Sequence, residues 1–279
     1  MTIRQALDQA ARLLTAAGVD SPRHDAGLLL SDLVGMPPLQ LTTVPEAPVA
    51  EAALALFFER VRRRAAREPL QHILGQAPFM GHLFEVSPEV LIPRFDTEVL
   101  AERAIARVQP GQLALDLCCG SGCLAISLKL ARPEALVYAG DLSPAAVALS
   151  ARNARRLGAD VDIRQGDLFA PFAGLRFDLI LSNPPYIKTG DLEGLQREVQ
   201  QEPALALDGG PDGLMVYRRI LMEAAHYLNP GGCLLLELGD GQAVEVGPLV
   251  PPGFSAPVIH QDLAGGDRVL ETCLLQGVH

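Results

Sequence analysis

The apolar positions of about the first 70 residues repeat with the period of an α-helix. In the first such stretch one set of apolar side chains shares a face: Ile3, Ala6, Leu7, Ala10, Leu13 and Leu14. A second helix is predicted to begin at Pro22, behind the N-cap residue Ser21, and to end at Gly35. A third is expected over about 51–67, after a connection at 42–48 that contains two prolines. This part of the chain is therefore predicted to be all-helical.

The pattern changes beyond residue 69. Residues 79–86 are typical of a small hairpin or extended segment, and a helix is expected from about Asp96 to Val108. After Pro110, short apolar runs alternate with helical patterns. The strand-like runs are 113–117, 135–139, 161–164, 177–181, 233–238, 256–260 and 269–275. The helix-like runs are 123–131, 144–157, 213–228 and about 242–249.

Strands and helices that alternate at this spacing favour an α/β fold with a doubly wound, mostly parallel sheet. No helical pattern separates the last two strand-like runs, so we expect them to form an antiparallel hairpin at the edge of the sheet.

The composition narrows the classes of protein that this pattern allows. Of the 279 residues, 49% are apolar and 20% are charged, which excludes an intrinsically disordered chain. The formal net charge of −10 lies entirely in residues 76–279, because residues 1–75 carry eight arginines and eight acidic residues. This acidic second part disfavours a protein that grips nucleic acid through its phosphates.

The cysteines and the N-terminal residues indicate in which cellular compartment the protein is expected. Five cysteines are an odd number and contain no CxxC pair, which argues against a disulfide framework or a zinc ribbon. The first residues lack the apolar stretch of a signal peptide, and no run approaches the ~18 apolar residues of a membrane span. We therefore expect a cytoplasmic protein with no membrane partner.

A glycine-rich turn follows the first strand-like run of the sheet, which contains Asp116. The turn opens a helix and consists of Cys118, Cys119, Gly120, Ser121 and Gly122. Glycines there let the backbone approach a ligand closely, and a helix N-terminus favours a polar or anionic group. The spacing also satisfies the dinucleotide-binding fingerprint, and an ordinary strand-to-helix turn is a further interpretation.

Two carboxylates follow the next two strand-like runs. Asp141, about 20 residues beyond the glycine turn, can accept both hydroxyls of a ribose, although an acid at this position also suits a helix N-terminus. Asp167 can accept the amino group of an adenine, with Leu168 covering the ring, or it is an ordinary loop acid.

The fourth strand-like run ends in the tetrapeptide Asn183-Pro184-Pro185-Tyr186, here called the NPPY turn. Two successive prolines fix φ twice and remove two donors, which leaves carbonyl groups free to accept hydrogen bonds. The Asn183 side-chain oxygen and the Pro184 carbonyl can each accept one N–H of a planar NH2 group, and so hold its nitrogen towards an electrophile. Tyr186 can pack against that group or face a cationic methyl donor.

In this order, the glycine turn, Asp141, Asp167 and the NPPY turn resemble a Rossmann-like S-adenosylmethionine-dependent methyltransferase that acts on NH2 nitrogens. Further segments are similar to the release factor glutamine methyltransferase (PrmC or HemK) family: PLQHILG at 69–75, IPRFDTE at 92–98, EPALAL at 202–207, GGPDGL at 209–214 and ELGDGQ at 237–242. The resemblance covers nearly the whole chain. It implies a seven-stranded Rossmann-like methyltransferase sheet with a small N-terminal all-helical domain and a β-hairpin linker.

The resemblance implies three regions: a helical substrate-recognition domain at 1–75, a hairpin linker at 76–94 and a methyltransferase domain at 95–279. The activity it implies is methyl transfer from S-adenosylmethionine, leaving S-adenosylhomocysteine, to the side-chain nitrogen N5 of a glutamine. That glutamine belongs to the Gly-Gly-Gln motif of class 1 peptide chain release factors, and its methylation modulates translation termination. The partner is then a protein, no metal and no direct contact to nucleic acid are needed, and we expect a monomer.

The resemblance also assigns site residues. The catalytic residues are Asn183, Pro184, Pro185 and Tyr186, which with Arg94 and Glu202 also bind the acceptor. The cofactor-binding residues are Asp116, Cys118, Cys119, Gly120, Ser121, Gly122, Asp141, Asp167, Leu168 and Asn183. Arg94 can orient a carboxylate of the cofactor or of a neighbouring acid, and Thr97 with Glu98 can simply cap the next helix.

Cys118 departs from the family pattern, because the first glycine of the turn usually stands there. A thiol side chain at this position is expected to need room and an ordinary φ. A metal or redox cluster of Cys118, Cys119 and Cys123 is disfavoured, since small apolar residues suit the end of a strand equally well. The run of arginines at 60–64 is interpreted as a solvated helix face rather than as a contact to a release factor or RNA.

Two other functions stay open on the residues alone. An NPPY adenine methyltransferase of DNA or RNA shares the chemistry, but it must flip out a base and normally has a basic recognition region. An NAD(P)-binding oxidoreductase, or a nucleotide-binding module without activity, fits the glycine turn but leaves the NPPY turn unexplained.

Overall fold

The computed structural model describes residues 1–277. The chain forms two compact units. Unit 1 comprises Met1–Gln76 together with Gln196–Gln201, and unit 2 comprises Ala77–Leu195 with the chain from Glu202 onwards. The segment 196–201 therefore belongs structurally to the N-terminal unit, although it lies far along the chain.

Unit 1 contains five helices around one apolar core. They are α1 (Ile3–Ala16), α2 (Pro22–Val34), α3 (Pro38–Thr43), α4 (Glu51–Ala65) and α5 (Leu70–Leu74). The prediction of a connection at 42–48 is wrong in its first two residues, which belong to α3, a short helix begun by a proline with a suitable φ. The sequence pattern also misses α5, a single turn that ends at Gly75 with φ 71°.

A charge cluster ties the segment 196–201 to the helices of unit 1. The Arg64 guanidinium donates to Asp25 Oδ2 at 2.8 Å and to Glu198 Oε1 at 2.8 Å. The Arg67 guanidinium donates to the other oxygen of Glu198 at 2.7 Å. The interpretation of 60–64 as a solvated face is therefore wrong for Arg64, which is only 7% exposed. It follows Val61, a core residue, by three positions, and so lies on the same face of α4.

The first two strands form a two-stranded sheet, β1 (Gln76–Phe79) and β2 (His82–Glu85), which belongs to unit 2 except for Gln76. The turn residues Met80 and Gly81 both have positive φ, as a two-residue hairpin turn requires. The hairpin predicted at 79–86 thus starts three residues earlier than expected.

The rest of unit 2 is a seven-stranded sheet flanked by helices. The strands are β3 (Leu113–Leu117), β4 (Leu136–Asp141), β5 (Val161–Gln165), β6 (Phe177–Ser182), β7 (Leu228–Glu237), β8 (Val258–Gln261) and β9 (Asp267–Cys273). The helices are α6 (Thr97–Arg107), α7 (Cys123–Ala131), α8 (Pro144–Leu157), α9 (Met215–Tyr227) and α10 (Ala243–Val246). The spatial order is β5-β4-β3-β6-β7-β9-β8, and within residues 1–277 β9 runs in the direction opposite to that of the other six strands. The predicted fold class is confirmed, including the antiparallel pairing of the last two strands.

Alternate residues of the central strands enter two separate cores. Leu179 and Leu181 of β6 pack in the core that contains α6 and α7, whereas Ile180 between them packs in the core that contains α9. Both faces of the sheet are covered, so its central strands are mostly apolar, as expected for a buried parallel sheet.

Cys233 and Cys273 are bonded through their sulfurs, with an S–S distance of 2.12 Å. The argument against a disulfide framework did not foresee this single bond, which forms because antiparallel pairing of β7 and β9 places the two residues directly opposite one another. They are 40 residues apart in sequence, so spacing alone cannot reveal the pairing. Within residues 1–277, no helix is both long enough and apolar enough to cross a membrane.

Candidate active site

The candidate site lies at the carboxyl ends of the central strands. The strand order reverses between β3 and β6, and such a switch point opens a crevice in which ligands bind. Leu117 of β3 pairs with Ser182 of β6. The residues that follow, Cys118 and Asn183, therefore leave the sheet side by side, and the glycine turn and the NPPY turn meet at one edge.

A cavity of about 480 Å³ occupies this crevice, a size usual for a small-molecule site. All its lining residues belong to unit 2. They come from 88–97, 118–124, 140–146, 166–168, 183–185 and 203–219. The predicted site residues that line it are Arg94, Cys118, Cys119, Gly120, Ser121, Asp141, Asp167, Leu168, Asn183 and Pro185.

Five predicted site residues do not line the cavity: Asp116, Gly122, Pro184, Tyr186 and Glu202. Asp116 is fully buried, and its Oδ2 accepts the backbone N–H of Ala125 at 3.1 Å in the first turn of α7. Burial raises its pKa well above the usual range. Gly122 has φ 79°, and a Cβ there would lie 2.8 Å from the Cβ of Ser150. Asp116 and Gly122 thus support the glycine turn without lining the cavity.

The cavity wall contains two non-glycine residues with positive φ. Cys118 has φ 59° and Leu168 has φ 47°. The expectation that Cys118 needs an ordinary φ is wrong, since the turn keeps the left-handed backbone that suits the family's glycine. Such backbones cost about 1–3 kcal/mol each and are concentrated at functional sites. Two of them on one cavity wall indicate that its shape is tightly determined.

Asp141 is the last residue of β4, and its side chain is hydrogen-bonded to the glycine turn. Its Oδ2 accepts the N–H of Gly120 at 2.9 Å and its Oδ1 accepts the N–H of Ser143 at 2.8 Å. Burial raises its pKa, and these backbone hydrogen bonds oppose the rise. Each carboxylate oxygen can accept a second hydrogen bond, so the side chain is fixed and still able to bind a pair of hydroxyl groups.

Asp167 and Leu168 form the next part of the wall. The Arg219 guanidinium donates to Asp167 Oδ2 at 2.8 Å and holds that carboxylate in place. Leu168 is 8% exposed, and Leu142, which also lines the cavity, is 51% exposed. An acceptor beside apolar side chains suits a flat heterocycle that carries an amino group.

The three free cysteines around the turn are not reactive thiolates. Burial raises the pKa of Cys118 and of Cys123 to about 12. Burial also raises the pKa of Cys119. Thiols of this kind stay protonated at neutral pH and neither attack electrophiles nor bind metal readily.

Asn183 is held by its amide nitrogen. Nδ2 donates to the hydroxyl oxygen of Thr97 at 3.1 Å. In the described chain no donor is bonded to Asn183 Oδ1 or to the carbonyl of Pro184. Pro184 is buried and Tyr186 is half-buried, outside the cavity wall. The turn thus presents two unused acceptors.

Glycines and Gln242 hold the NPPY turn from behind. A Cβ on Gly213 would lie 2.5 Å from the carbonyl oxygen of Tyr186, and one on Gly239 would lie 2.9 Å from the Tyr186 ring. Gln242 Nε2 donates to that same carbonyl at 3.0 Å, and its Oε1 accepts the N–H of Gly239 at 2.9 Å. This explains the segments 209–214 and 237–242 physically, because only glycine lets the backbone come so close.

Arg94 and Glu202 form part of the wall structure. Glu202 Oε2 accepts the N–H of Ile92 at 2.8 Å, and Oε1 pairs with the Arg94 guanidinium. The Glu202 side chain is 1% exposed, so the acid that Arg94 orients is this neighbour. Glu98 accepts the N–H of Met80 at 2.6 Å and so fixes the hairpin turn.

Sequence reasoning missed Thr97 and Gln242 as parts of the site. The only available signal was their position inside the matched segments 92–98 and 237–242. Their roles depend on contacts between residues far apart in sequence, which no local pattern reveals.

The fold and this edge of the sheet define the class: a Rossmann-like methyltransferase. A methyltransferase structure from Pyrococcus furiosus has the same fold, with a TM-score of 0.54 at 18% identity, covering 80% of this chain and 98% of that one. A family model described as the PrmC N-terminal domain matches residues 5–75, and one described as the methyltransferase small domain matches residues 95–239.

Two curated relatives were compared to find the family within this class of methyltransferases. The release factor glutamine methyltransferase of Geobacter sulfurreducens is 48% identical over 271 residues, which is 96% of this chain and 95% of that protein. The chain thus belongs to the release factor glutamine methyltransferase family. A 4-amino-L-phenylalanine/4-methylamino-L-phenylalanine methyltransferase of Streptomyces pristinaespiralis is 40% identical over 256 residues, 88% of this chain and 86% of that protein.

The cavity fits S-adenosylmethionine, the methyl donor of such enzymes. Its wall offers a fixed carboxylate at Asp141, a second carboxylate at Asp167 and an apolar side chain at Leu168, and such groups suit hydroxyl groups, an amino group and a flat ring. Gly120, at φ 54°, has only the Val90 side chain within 4 Å of where its Cβ would be, at 3.7 Å. Backbone without a side chain therefore faces the cavity there.

Proposed function

We propose that this protein transfers the methyl group of S-adenosylmethionine to N5 of the glutamine in the Gly-Gly-Gln motif of class 1 peptide chain release factors, and thereby modulates translation termination. The observation that carries the proposal is the orientation of Asn183: Nδ2 donates to Thr97, which leaves Oδ1 to accept from an NH2 group. The 48% identity with a release factor glutamine methyltransferase supports the choice of acceptor.

An amide nitrogen is a weak nucleophile because its lone pair is delocalised into the carbonyl. In the proposed mechanism, Asn183 Oδ1 and the Pro184 carbonyl each accept one N–H of the glutamine amide. These hydrogen bonds return electron density to the nitrogen and fix its direction, and fixed acceptors stabilise positive charge as it develops there. S-adenosylmethionine supplies an electrophilic methyl group on a sulfonium centre. The methylated nitrogen then loses its proton to water, and no strong general base is needed.

The remaining site residues take the roles that their positions support. Asp141 binds the ribose hydroxyls and Asp167 the adenine amino group, while Leu168 covers the ring. The wall residues Cys118, Cys119, Gly120 and Ser121 contact the methyl donor. Asp116 and Gly122 support them from behind, Tyr186 stiffens the NPPY turn, and Glu202 holds Arg94 in the wall.

We assign the domains accordingly: residues 1–75 recognise the release factor, 76–94 form the linker and 95–279 carry catalysis. A net charge of −10 in residues 76–279 supports a protein acceptor over a polyanion. The protein acts in the cytoplasm as a monomer, without direct contact to nucleic acid or membrane.

Purified protein incubated with methyl-labelled S-adenosylmethionine tests the proposal. The acceptors are a class 1 release factor, the same factor with the motif glutamine replaced by alanine, duplex DNA, ribosomal RNA and 4-amino-L-phenylalanine. We expect label only in the unaltered release factor, and mass spectrometry should place it on the motif glutamine. Label in nucleic acid and none in the release factor would favour the adenine methyltransferase. Label only in the amino acid would indicate an aromatic amine as the acceptor, as the name of the Streptomyces relative describes for that protein.

A further inference from the structure

Arg219 is a charged residue of the cavity wall that has no role in the proposed chemistry. It lies on α9 one helical turn after Met215, and both side chains line the cavity. Its Nη2 donates to Asp167 Oδ2 at 2.8 Å, although 52 positions separate the two residues. The Arg219 and Asp167 side chains are 44% and 50% exposed, and an ion pair as exposed as this adds little to stability. The effect of the contact is therefore to be sought in the cavity rather than in the stability of the fold.

The backbone on either side of Asp167 is held by its neighbours. A Cβ on Gly166 would lie 2.8 Å from the Pro171 ring, so the chain passes close to that proline. Leu168 has φ 47°, a backbone conformation that only a closely determined turn keeps. These contacts leave the side-chain torsions of Asp167 free. The Arg219 guanidinium restrains those torsions, because it binds one of the two carboxylate oxygens.

The restrained carboxylate keeps one oxygen that can accept a hydrogen bond from a ligand. Within residues 1–277, no donor is bonded to Asp167 Oδ1. An ionised carboxylate only accepts, and the amino group of adenine has two N–H donors. In hypoxanthine, the 6-oxo purine, an oxygen replaces that amino group and the neighbouring ring nitrogen N1 carries a proton. A fixed carboxylate oxygen then meets the 6-oxo group acceptor against acceptor, whereas a mobile one can shift to the N1 proton.

We propose that Arg219 determines the specificity of the site for adenine: it holds the Asp167 carboxylate where that group accepts a hydrogen bond from the adenine amino group, so that cofactors with a 6-oxo purine are rejected. Arg219 acts through Asp167 and is therefore a positioning residue. The inference rests on the proposed function, since that function assigns Asp167 to the adenine amino group. It extends the cofactor site to α9.

Calorimetric titration with S-adenosylhomocysteine and S-inosylhomocysteine tests the proposal, because the two compounds differ only in the 6-amino or 6-oxo group and the N1 proton. We expect the wild type to bind the adenosyl compound at least ~100-fold more tightly. Arg219→Met keeps an unbranched side chain without N–H donors; it should weaken binding of the adenosyl compound ~3- to 10-fold and lower the ratio of the two Kd values at least ~5-fold. Arg219→Lys supplies one cationic donor to Asp167 Oδ2 and should keep that ratio within ~3-fold of the wild type.

Arg218→Met is the matched control. Arg218 precedes Arg219 on α9, and its guanidinium donates to the two carboxylate oxygens of Asp212 at 3.1 and 2.6 Å. Both arginine side chains are 44% exposed, but neither Arg218 nor Asp212 lines the cavity. We therefore expect Arg218→Met to leave both Kd values within ~2-fold of the wild type. The same ratio of Kd values in the two methionine variants would overturn the proposal, as would a wild type that binds the two compounds equally well.

A double-mutant cycle tests whether Arg219 acts through Asp167. In an Asp167→Ala background, Arg219→Met should change the Kd for S-adenosylhomocysteine by less than ~2-fold, because no carboxylate is left to position. An equal loss of affinity in both backgrounds would show that Arg219 contacts the cofactor itself, and the proposal would be wrong. Methyl transfer is measured separately from binding. A wild type that discriminates between the two compounds as expected but does not methylate the release factor refutes the proposed function and leaves the role of Arg219 standing.

Discussion

Replacing Glu198 with glutamine is expected to destabilise the helical unit in a pH-dependent way. Glu198 accepts hydrogen bonds from Arg64 and Arg67 with its two carboxylate oxygens, and its side chain is 16% exposed. Glutamine keeps nearly the same shape but loses the negative charge between two guanidinium groups. The variant therefore reproduces the protonated form of Glu198 at every pH.

The pKa of Glu198 gives the size of the expected loss in the free energy of unfolding. Burial raises it, but hydrogen bonds from Arg67 and Arg64 outweigh that effect and lower the pKa from 4.5 to about 2. At 1.36 kcal/mol per pH unit this corresponds to ~3 kcal/mol, which we reduce to about 2 kcal/mol for solvent screening. Because the folded-state pKa is depressed, this stability is fully present above pH 4.5 and is lost as the pH falls towards 2.

Urea denaturation followed by circular dichroism, at several pH values between 7 and 3, measures this effect. The expected free-energy difference between wild type and Glu198→Gln is about 2 kcal/mol at pH 7, and it should narrow steadily below pH 4.5. The control is Glu46→Gln, since Glu46 pairs with Arg4 at 2.9 Å but both side chains are mostly exposed. That variant should change stability by less than ~0.5 kcal/mol. A difference of this smaller size for Glu198→Gln, or one that does not vary with pH, would refute the reasoning.

Three further predictions concern the site. Asn183→Ala should lower methyl transfer at least ~100-fold, as for loss of a fixed transition-state partner, while calorimetry should find S-adenosylmethionine binding within several-fold of the wild type. Cys118→Gly should leave the stability within ~1 kcal/mol of the wild type, because relief of the strain of a positive φ offsets the greater conformational entropy of glycine in the unfolded chain. Cys118→Val should lower the stability by at least ~2 kcal/mol, and thermal denaturation measures both variants. Asp141→Asn should weaken binding of S-adenosylmethionine ~10-fold, measured by calorimetry, with kcat at saturating donor little changed.

Local patterns predicted most of the sheet because parallel strands buried on both faces must be short apolar runs. The run at 113–117 coincides with β3, and the helix-like runs 123–131 and 144–157 coincide with α7 and α8. Short elements were missed where a few residues carry too little periodicity, as in the single turn of α5. The antiparallel pairing of β8 and β9 was predictable because no helix separates them.

The candidate site, too, was predictable only where its residues belong to local sequence motifs. The glycine turn, the two acids and the NPPY turn were visible because each follows a strand, and the carboxyl ends of parallel strands meet at one edge. What could not be seen was that Cys118 keeps a left-handed backbone, or that Glu202 turns away from the cavity to hold Arg94. Backbone angles and side-chain partners depend on neighbours that are distant in sequence.

The fold class, the family resemblance and the edge of the sheet that carries the chemistry could all be read from the amino-acid sequence, because periodicity and strand-end motifs are local properties. The partners that hold these residues in place are visible only in the folded chain. The segment 196–201 joins the helical unit through Glu198, and Thr97 accepts a hydrogen bond from Asn183, although 86 positions separate the two residues. Such contacts form only when packed cores hold distant segments against each other: the helical core does so around Glu198, and the cores on the two faces of the sheet do so around Asn183.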